Sequence, residues 1–356
     1  MICVPMKQIQ NDALPELISP YLRDLIAKTG GAKGPIGKQF VAQISECAWN
    51  AQTQETDPLD EDEHEVAPGL IYKYEGTIDA KGNVVTYGRA LWTITRFCSS
   101  YCRFCTRGRE VGLPFQKNKS TGPTLLQKPF LTDDDIKKVL SFLATHKEIN
   151  EIILSGGDPL ACPKEYLTSI VEKLIQLQKE KKLDIIRIGT RVPIVNPQMI
   201  TDWHYDLIKK IRNPYLMVHI NHPDELTEKS IAVLDRFRKE SHASIMSQSV
   251  LLKGVNDDPQ TLKTLFVTLA INAITPYYIF QCDPVWWGKD FIVPPKKAIA
   301  LWQKVRPELS GIAATARFVI DAPHGFGKIP VPEGDAWDVD YTLFKDFKRK
   351  KIPFAV

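Results

Sequence analysis

From about residue 91 onward the chain switches repeatedly between two hydrophobic periods, and this alternation restricts its fold more than any other feature. Short apolar runs rich in β-branched residues occupy Leu91–Arg96, Glu151–Leu154, Ile185–Gly189, Leu216–Ile220, Ser244–Ser249, Tyr277–Gln281 and Ala316–Asp321. Between them lie segments of helical spacing, among them Lys164–Lys179, Pro197–Ile211, Asp224–Glu240, Pro259–Ile271 and Lys296–Lys304. Strands that alternate with helices build a parallel sheet. Six or seven such units suit a complete or partial (βα) barrel, whose reacting groups sit where the strands end. Upstream, Leu14–Thr29 and Lys38–Ala51 read as helices. The acidic run Asp57–Glu65 reads as a solvated linker, with metal binding as the lesser alternative. Val84–Phe97 alternates as a strand does. The expected class is α/β: a helical N-terminal extension and linker over 1–85, the barrel, complete or partial, over 86–290, and a short C-terminal segment over 291–356. The basic stretch Lys345–Lys351 in that last segment reads as a solvated end.

At 44% hydrophobic and 25% charged residues the chain can bury a core. Its net charge of +4 gives no reason to expect nucleic acid or an anionic membrane as a partner. The first residues lack the charged and apolar regions of a signal peptide, and no apolar run reaches membrane-spanning length. The seven cysteines are odd in number, and Cys98, Cys102 and Cys105 crowd onto one short segment, which is unlike a secreted disulfide scaffold. A reducing cytoplasm is therefore expected. Three closely spaced thiolates suit three irons of a four-iron cluster, leaving the fourth iron open to a ligand. A structural zinc site would want a fourth protein ligand, and none follows Cys105 at conventional zinc spacing. The C-x3-C-x2-C spacing after the first barrel strand resembles the radical S-adenosylmethionine (SAM) signature. Leu154-Ser-Gly-Gly-Asp-Pro-Leu160 follows the next strand. Alone, such a turn is ordinary. At this place it resembles the radical SAM glycine motif, which contacts the methionine end of SAM.

Near the end stands Asp321-Ala-Pro-His324-Gly-Phe326-Gly327-Lys328. A lysine among glycines after a strand can be a plain surface turn or a mobile amine at the catalytic face. With Arg187-Ile-Gly-Thr-Arg-Val-Pro193, Asn221-His-Pro-Asp-Glu225, Gln248-Ser-Val-Leu-Leu-Lys-Gly-Val-Asn-Asp257 and Pro276-Tyr-Tyr-Ile-Phe-Gln-Cys-Asp283, the chain resembles the lysine 2,3-aminomutase family over about Tyr87 to Pro332.

The resemblance implies a partial (βα)6-type barrel of the radical SAM kind. It also implies an isomerase that moves the α-amino group of L-lysine, or of a similar cationic amino acid, to the β-carbon. The implied cofactors are a [4Fe-4S] cluster on Cys98, Cys102 and Cys105, SAM, and pyridoxal 5′-phosphate (PLP) on Lys328. Gly156, Gly157, Asp158 and Gln248 match positions near SAM. Arg89 matches an arginine that holds the PLP phosphate. Arg107 matches the arginine that pairs with the substrate carboxylate. Asp283 and Asp321 match two acids that hold a distal ammonium. An electron donor such as flavodoxin or ferredoxin is the implied partner, and a homo-oligomer is compatible with the family.

Three departures stand out. His324 and Phe326 interrupt the lysine turn. Gly108 follows Arg107 where lysine mutases usually have a second arginine. No cysteine follows Cys282, and Asp258 occupies the place of a cysteine that partners zinc in clostridial members, so zinc is not expected. Competing readings are arginine or ornithine as substrate, the branch that makes β-lysine for a translation factor, a radical SAM enzyme without PLP, and a zinc-binding interaction module. Cys105-Thr-Arg-Gly108 favours the free amino acid over the translation-factor branch.

Overall fold

The computed structural model describes residue 14 and residues 16–42, 57–111, 115–118, 122–125, 129–322, 327–332, 343–345 and 350–353. Ten of its strands form one sheet and lie side by side in chain order. They are β1 (Glu65–Ala67), β2 (Leu70–Tyr74), β3 (Gly88–Thr95), β4 (Ile149–Gly156), β5 (Ile185–Thr190), β6 (Tyr215–His219), β7 (Ser244–Leu251), β8 (Thr275–Gln281), β9 (Arg317–Asp321) and β10 (Lys328–Pro330). Neighbours from β3 to β9 pair in parallel. The pairs β1–β2, β2–β3 and β9–β10 are antiparallel.

Helices α1 (Pro20–Lys28) and α2 (Pro35–Phe40) precede the sheet. Then α3 (Asp133–Thr145), α4 (Lys164–Lys179), α5 (Asp202–Lys209), α6 (Glu228–Glu240), α7 (Pro259–Ile271) and α8 (Pro295–Val305) follow β3 to β8, one each. The expected (βα)6 unit is present, extended by a seventh parallel strand. The sheet's first and last strands do not pair among the described residues, so the barrel is partial.

The sheet takes in β1 and β2 before residue 86 and β9 and β10 after residue 290, so it crosses both boundaries expected from the sequence. The strand expected over Val84–Phe97 is two elements. Val84–Thr86 pairs in a small hairpin with Thr77–Ile78, and β3 begins afterwards at Gly88. The helix expected from Pro197 begins at Asp202, after short turns at Val192–Val195 and Pro197–Met199 that each carry a proline near their start. The helix expected from Asp224 begins at Glu228, because Thr227 caps it by accepting from the Ser230 amide. Helix α3 was not anticipated, although Thr132 and Asp135 form a capping box at its start. Asp258 is the N-cap of α7 and accepts from the amides of Gln260 and Thr261, both at 3.0 Å. Residues 43–51 of the second expected upstream helix lie outside the described residues.

Within each parallel strand the side chains alternate between two environments, as the two-residue period requires. Ala90, Trp92, Ile152, Leu154, Ile186, Ile188, Leu216, Val218 and Ile279 are buried in the main hydrophobic core. Helix α4 meets that core with Leu167, Ile170, Val171, Leu174 and Ile175, spaced three and four apart. The residues in between, such as Arg89, Arg187 and His219, face a cavity.

The upstream helices are part of the same core through Leu22, Leu25, Ile26, Ile36 and Phe40. Gln39 is fully buried. Its amide donates to Glu225 Oε1 at 2.7 Å, and its carbonyl oxygen accepts from Asn221 Nδ2 at 2.9 Å and from Arg191 Nη2. Replacing Gln39 with Leu leaves two of these partners charged, buried and short of a bond. We expect a loss of about 3 kcal/mol, seen as a lower urea midpoint of the protein.

Candidate active site

The C-terminal ends of the strands surround a cavity of about 350 Å3. Every site residue singled out from the sequence lines it: Cys98, Cys102, Cys105, Arg89, Arg107, Gly156, Gly157, Asp158, Gln248, Asp283, Asp321 and Lys328. His324 and Phe326 of the lysine turn lie outside the described residues.

The thiols come from the loop after β3. Cys98, Cys102 and Cys105 are free and partly open to the cavity. Burial and the neighbouring thiols push Cys98 well above the ordinary range and Cys105 up to about 12. Thiolates in such surroundings need a positive partner. One is built in: Arg191, fully buried in its side chain, donates from Nη1 to Cys102 Sγ at 2.8 Å. No three His, Cys, Asp or Glu side chains among the described residues converge as they would around one metal ion. The donor set is thiol only, and in a multi-iron cluster each cysteine binds its own iron, so the loop fits a cluster better than a single zinc. The loop is pinned from the N-terminal side as well. Arg103 is buried, donates from Nη1 to the Leu14 carbonyl at 2.8 Å, and from its amide to the Gln39 carbonyl at 2.9 Å.

The glycine turn after β4 packs directly under this loop. Gly156 has φ of +115°, and a Cβ there would lie 2.2 Å from the Thr95 carbonyl oxygen. A Cβ on Gly157 would lie 2.0 Å from the Phe97 carbonyl oxygen. Only glycine allows the two backbones to approach so closely. Asp158 lines the cavity, but its carboxylate is fully engaged by the protein. It accepts from Leu160 N (3.0 Å), Thr190 Oγ1 (2.7 Å), Arg191 N (2.6 Å) and Val192 N (3.1 Å). Its side chain anchors the turn after β5 rather than reaching outward.

The acidic run is not a solvated linker. Glu61 is only 3% exposed and grips Arg107 by two bonds, Nε to Oε2 at 2.7 Å and Nη2 to Oε1 at 2.6 Å. The charge of Arg107 holds the Glu61 carboxyl below its ordinary value despite burial. Arg107 Nη1 points instead to Ser155 Oγ at 3.3 Å. Arg109 pairs with Asp57 and Asp62 of the same run. Asp283 Oδ2 accepts from Thr106 Oγ1 at 2.5 Å. Burial pushes Asp283 up to about 6 against that bond, and nearby Asp321 adds to the rise.

Lys328 begins β10, paired in register with Asp321 on β9, and its ammonium meets Asp321 Oδ1 at 2.5 Å. It lies 4.7 Å from the ring centre of Phe280. Arg89 stacks on Tyr74, 4.1 Å from the ring centre, and shares Glu151 with Arg187. Arg187 keeps its buried Nε without a hydrogen-bond partner, and Lys73 lines the same wall. Two arginines around one carboxylate, with Lys73 also in the lining, fit an anionic group such as a phosphate. Sequence reasoning missed Glu61, Lys73, Arg187 as a cavity residue, and Arg191 as a neighbour of the thiols. If the three thiols hold a cluster, replacing any one with Ala should cut iron retained after anaerobic reconstitution from about four per chain to a small fraction of that. Full retention by Cys105→Ala would remove it from the ligand set.

The radical SAM superfamily model matches residues 92–265. An L-lysine 2,3-aminomutase of Methanococcus maripaludis is 33% identical over 339 residues, covering 95% of this chain and 71% of its own length. One of Fusobacterium nucleatum is 34% identical over 320 residues, covering 90% and 68%. Among solved structures, a radical SAM methyltransferase from Sphaerobacter thermophilus overlays with a TM-score of 0.46 at 16% identity, over 70% of this chain and 74% of its own. The chain belongs to the lysine 2,3-aminomutase family of radical SAM enzymes.

Proposed function

We propose that the protein is a PLP-dependent 2,3-aminomutase that moves the α-amino group of L-lysine, or of a similar cationic amino acid, to the β-carbon. The observation that carries this reading is the sharing of one cavity by three thiols, Lys328, Arg107 and two acids. When bound, the cluster with SAM supplies a hydrogen-abstracting carbon radical, and PLP supplies a temporary partner for the migrating nitrogen.

The chain's own residues do the rest. Cys98, Cys102 and Cys105 hold the cluster, with Arg191 as the fixed cation beside Cys102. Gly156 and Gly157 bring backbone close to the SAM methionine, and Gln248 faces the same space. Arg89, helped by Arg187 and Lys73, meets the PLP phosphate. Lys328 binds PLP through its amine, with Asp321 as the counter-ion of that amine while it is charged. Glu61 fixes one edge of Arg107, leaving the Nη1 end for the substrate carboxylate. Asp283, with Asp321, meets the substrate's distal ammonium. The cavity walls hold these groups in one orientation and exclude water. The electron comes from a donor such as flavodoxin or ferredoxin. The five described cysteines are free thiols, which suits a cytoplasmic setting.

Two measurements test this. Lys328→Ala should lose the visible absorption of enzyme-bound PLP and at least about 100-fold of β-lysine formation, because PLP is no longer held in place. Wild-type activity in that variant would sink the role, and a panel of lysine, arginine and ornithine names the substrate. Asp283 must be ionised to bind an ammonium, and its pKa is raised to about 6. With Asp321, Lys328 and Glu61 the charges around it, kcat/KM for lysine should rise about tenfold per pH unit below about 6 and level off above it. Asp283→Asn should abolish that limb.

A further inference from the structure

The cysteine loop is clasped from outside by the segment that follows Asp283. A short 3-10 helix, Trp286–Phe291, runs past it. Trp287 lays its indole on Gly108, where an added Cβ would lie 2.5 Å from Cε2 and 2.7 Å from both Cζ2 and Nε1. The indole Nε1 donates to the carbonyl of Cys105 at 2.7 Å. The Gly108 amide donates to the same carbonyl at 3.0 Å. Phe291 meets Phe104 edge-on at 5.5 Å, and a Cβ at Gly288 would lie 3.5 Å from the Phe104 Cα. Phe104 and Phe291, with Leu252, Val255 and Cys282, form a small core separate from the main one. The missing side chain at Gly108 and the tryptophan above it therefore fit together as one feature.

We propose that Trp287 is a positioning residue for the cluster-binding loop. Its ring takes the space a side chain at 108 would fill. Its N–H holds the last cysteine's carbonyl, so Cys105 is set in place before iron arrives. The proposal rests on the reading of the three cysteines as cluster ligands. Iron content of the reconstituted wild-type protein tests that reading separately.

The test compares Trp287→Phe, Trp287→Ala, Gly108→Ala and the double variant W287A/G108A. The readouts are iron bound after anaerobic reconstitution, the rate at which the cluster's visible absorbance is lost in air, and the thermal midpoint without iron. Outer partners of metal ligands are typically worth about 10- to 100-fold, so Trp287→Ala should lose its cluster about tenfold faster than wild type. Trp287→Phe keeps the ring and loses the N–H. It should lose its cluster about threefold faster with an unchanged iron-free midpoint, which a merely structural role would not produce. Gly108→Ala should behave like Trp287→Ala, and the double variant no worse than either. Wild-type lifetimes in Trp287→Phe and Trp287→Ala, or additive losses in the double variant, would overturn the proposal. Should wild type bind no iron, the cluster reading fails. The fit of Gly108 to Trp287 is then still judged by midpoints: Gly108→Ala must lower the midpoint in wild type and leave it unmoved beside Trp287→Ala.

Discussion

The buried guanidinium of Arg191 is the interaction on which most of the site depends. A charge out of water is costly unless it is paired and hydrogen-bonded. Arg191 meets it through its two Nη groups, with Glu225 at 2.9 Å, with Gln39 and with Cys102 Sγ, while its buried Nε has no hydrogen-bond partner and Phe40 lies 4.5 Å from it under its face. These partners come from the upstream helix, the loop after β6 and the cysteine loop, and Arg191's own backbone amide is held by Asp158. Four segments distant in sequence must be in place before the charge is satisfied. The thiol end of this network places a fixed cation against the Cys102 sulfur. The same network leaves His219 neutral, because burial and the Arg191 charge both oppose its protonation.

How much of this was legible in the sequence depended on whether the signal was local. The seven parallel strands and most helices follow from period changes in one short window at a time, and the cysteine spacing needs no partner from elsewhere. Asp258 is instructive: judged against a family pattern it marked a missing zinc ligand, whereas its physical work is to cap a helix. Glu61 is the opposite case. Within Asp57–Glu65 it is one acid among several, and only its long-range meeting with Arg107 separates it from its exposed neighbours. Arg187 and His219 were hidden inside strands, where polarity alone does not tell which face a residue takes. That is settled by register, such as Arg187 opposite Ile153 and Tyr215. Gln39 lay in a segment with no motif at all.

The cavity also brings charges of both signs together. Arg89 and Arg187 share Glu151, Asp321 pairs with Lys328, and Lys73 lies within reach of the charges of both Glu61 and Asp321. In a space of about 350 Å3 such groups interact far more strongly than they would in water. The alternation along each strand produces this arrangement without disturbing the core, since the neighbours of Arg89 and Arg187 in sequence are buried apolar residues.

The chain order of the sheet carries a consequence for how the protein is made. Because strands lie in the sheet in the order of synthesis, the cysteine loop after β3 emerges from the ribosome long before β9 and β10 bring Asp321 and Lys328. A growing chain therefore displays its thiols while the opposite wall does not yet exist. The antiparallel return of β10 is the last stitch. Until it forms, the sheet ends at β9 and Asp321 lacks the ammonium it pairs with.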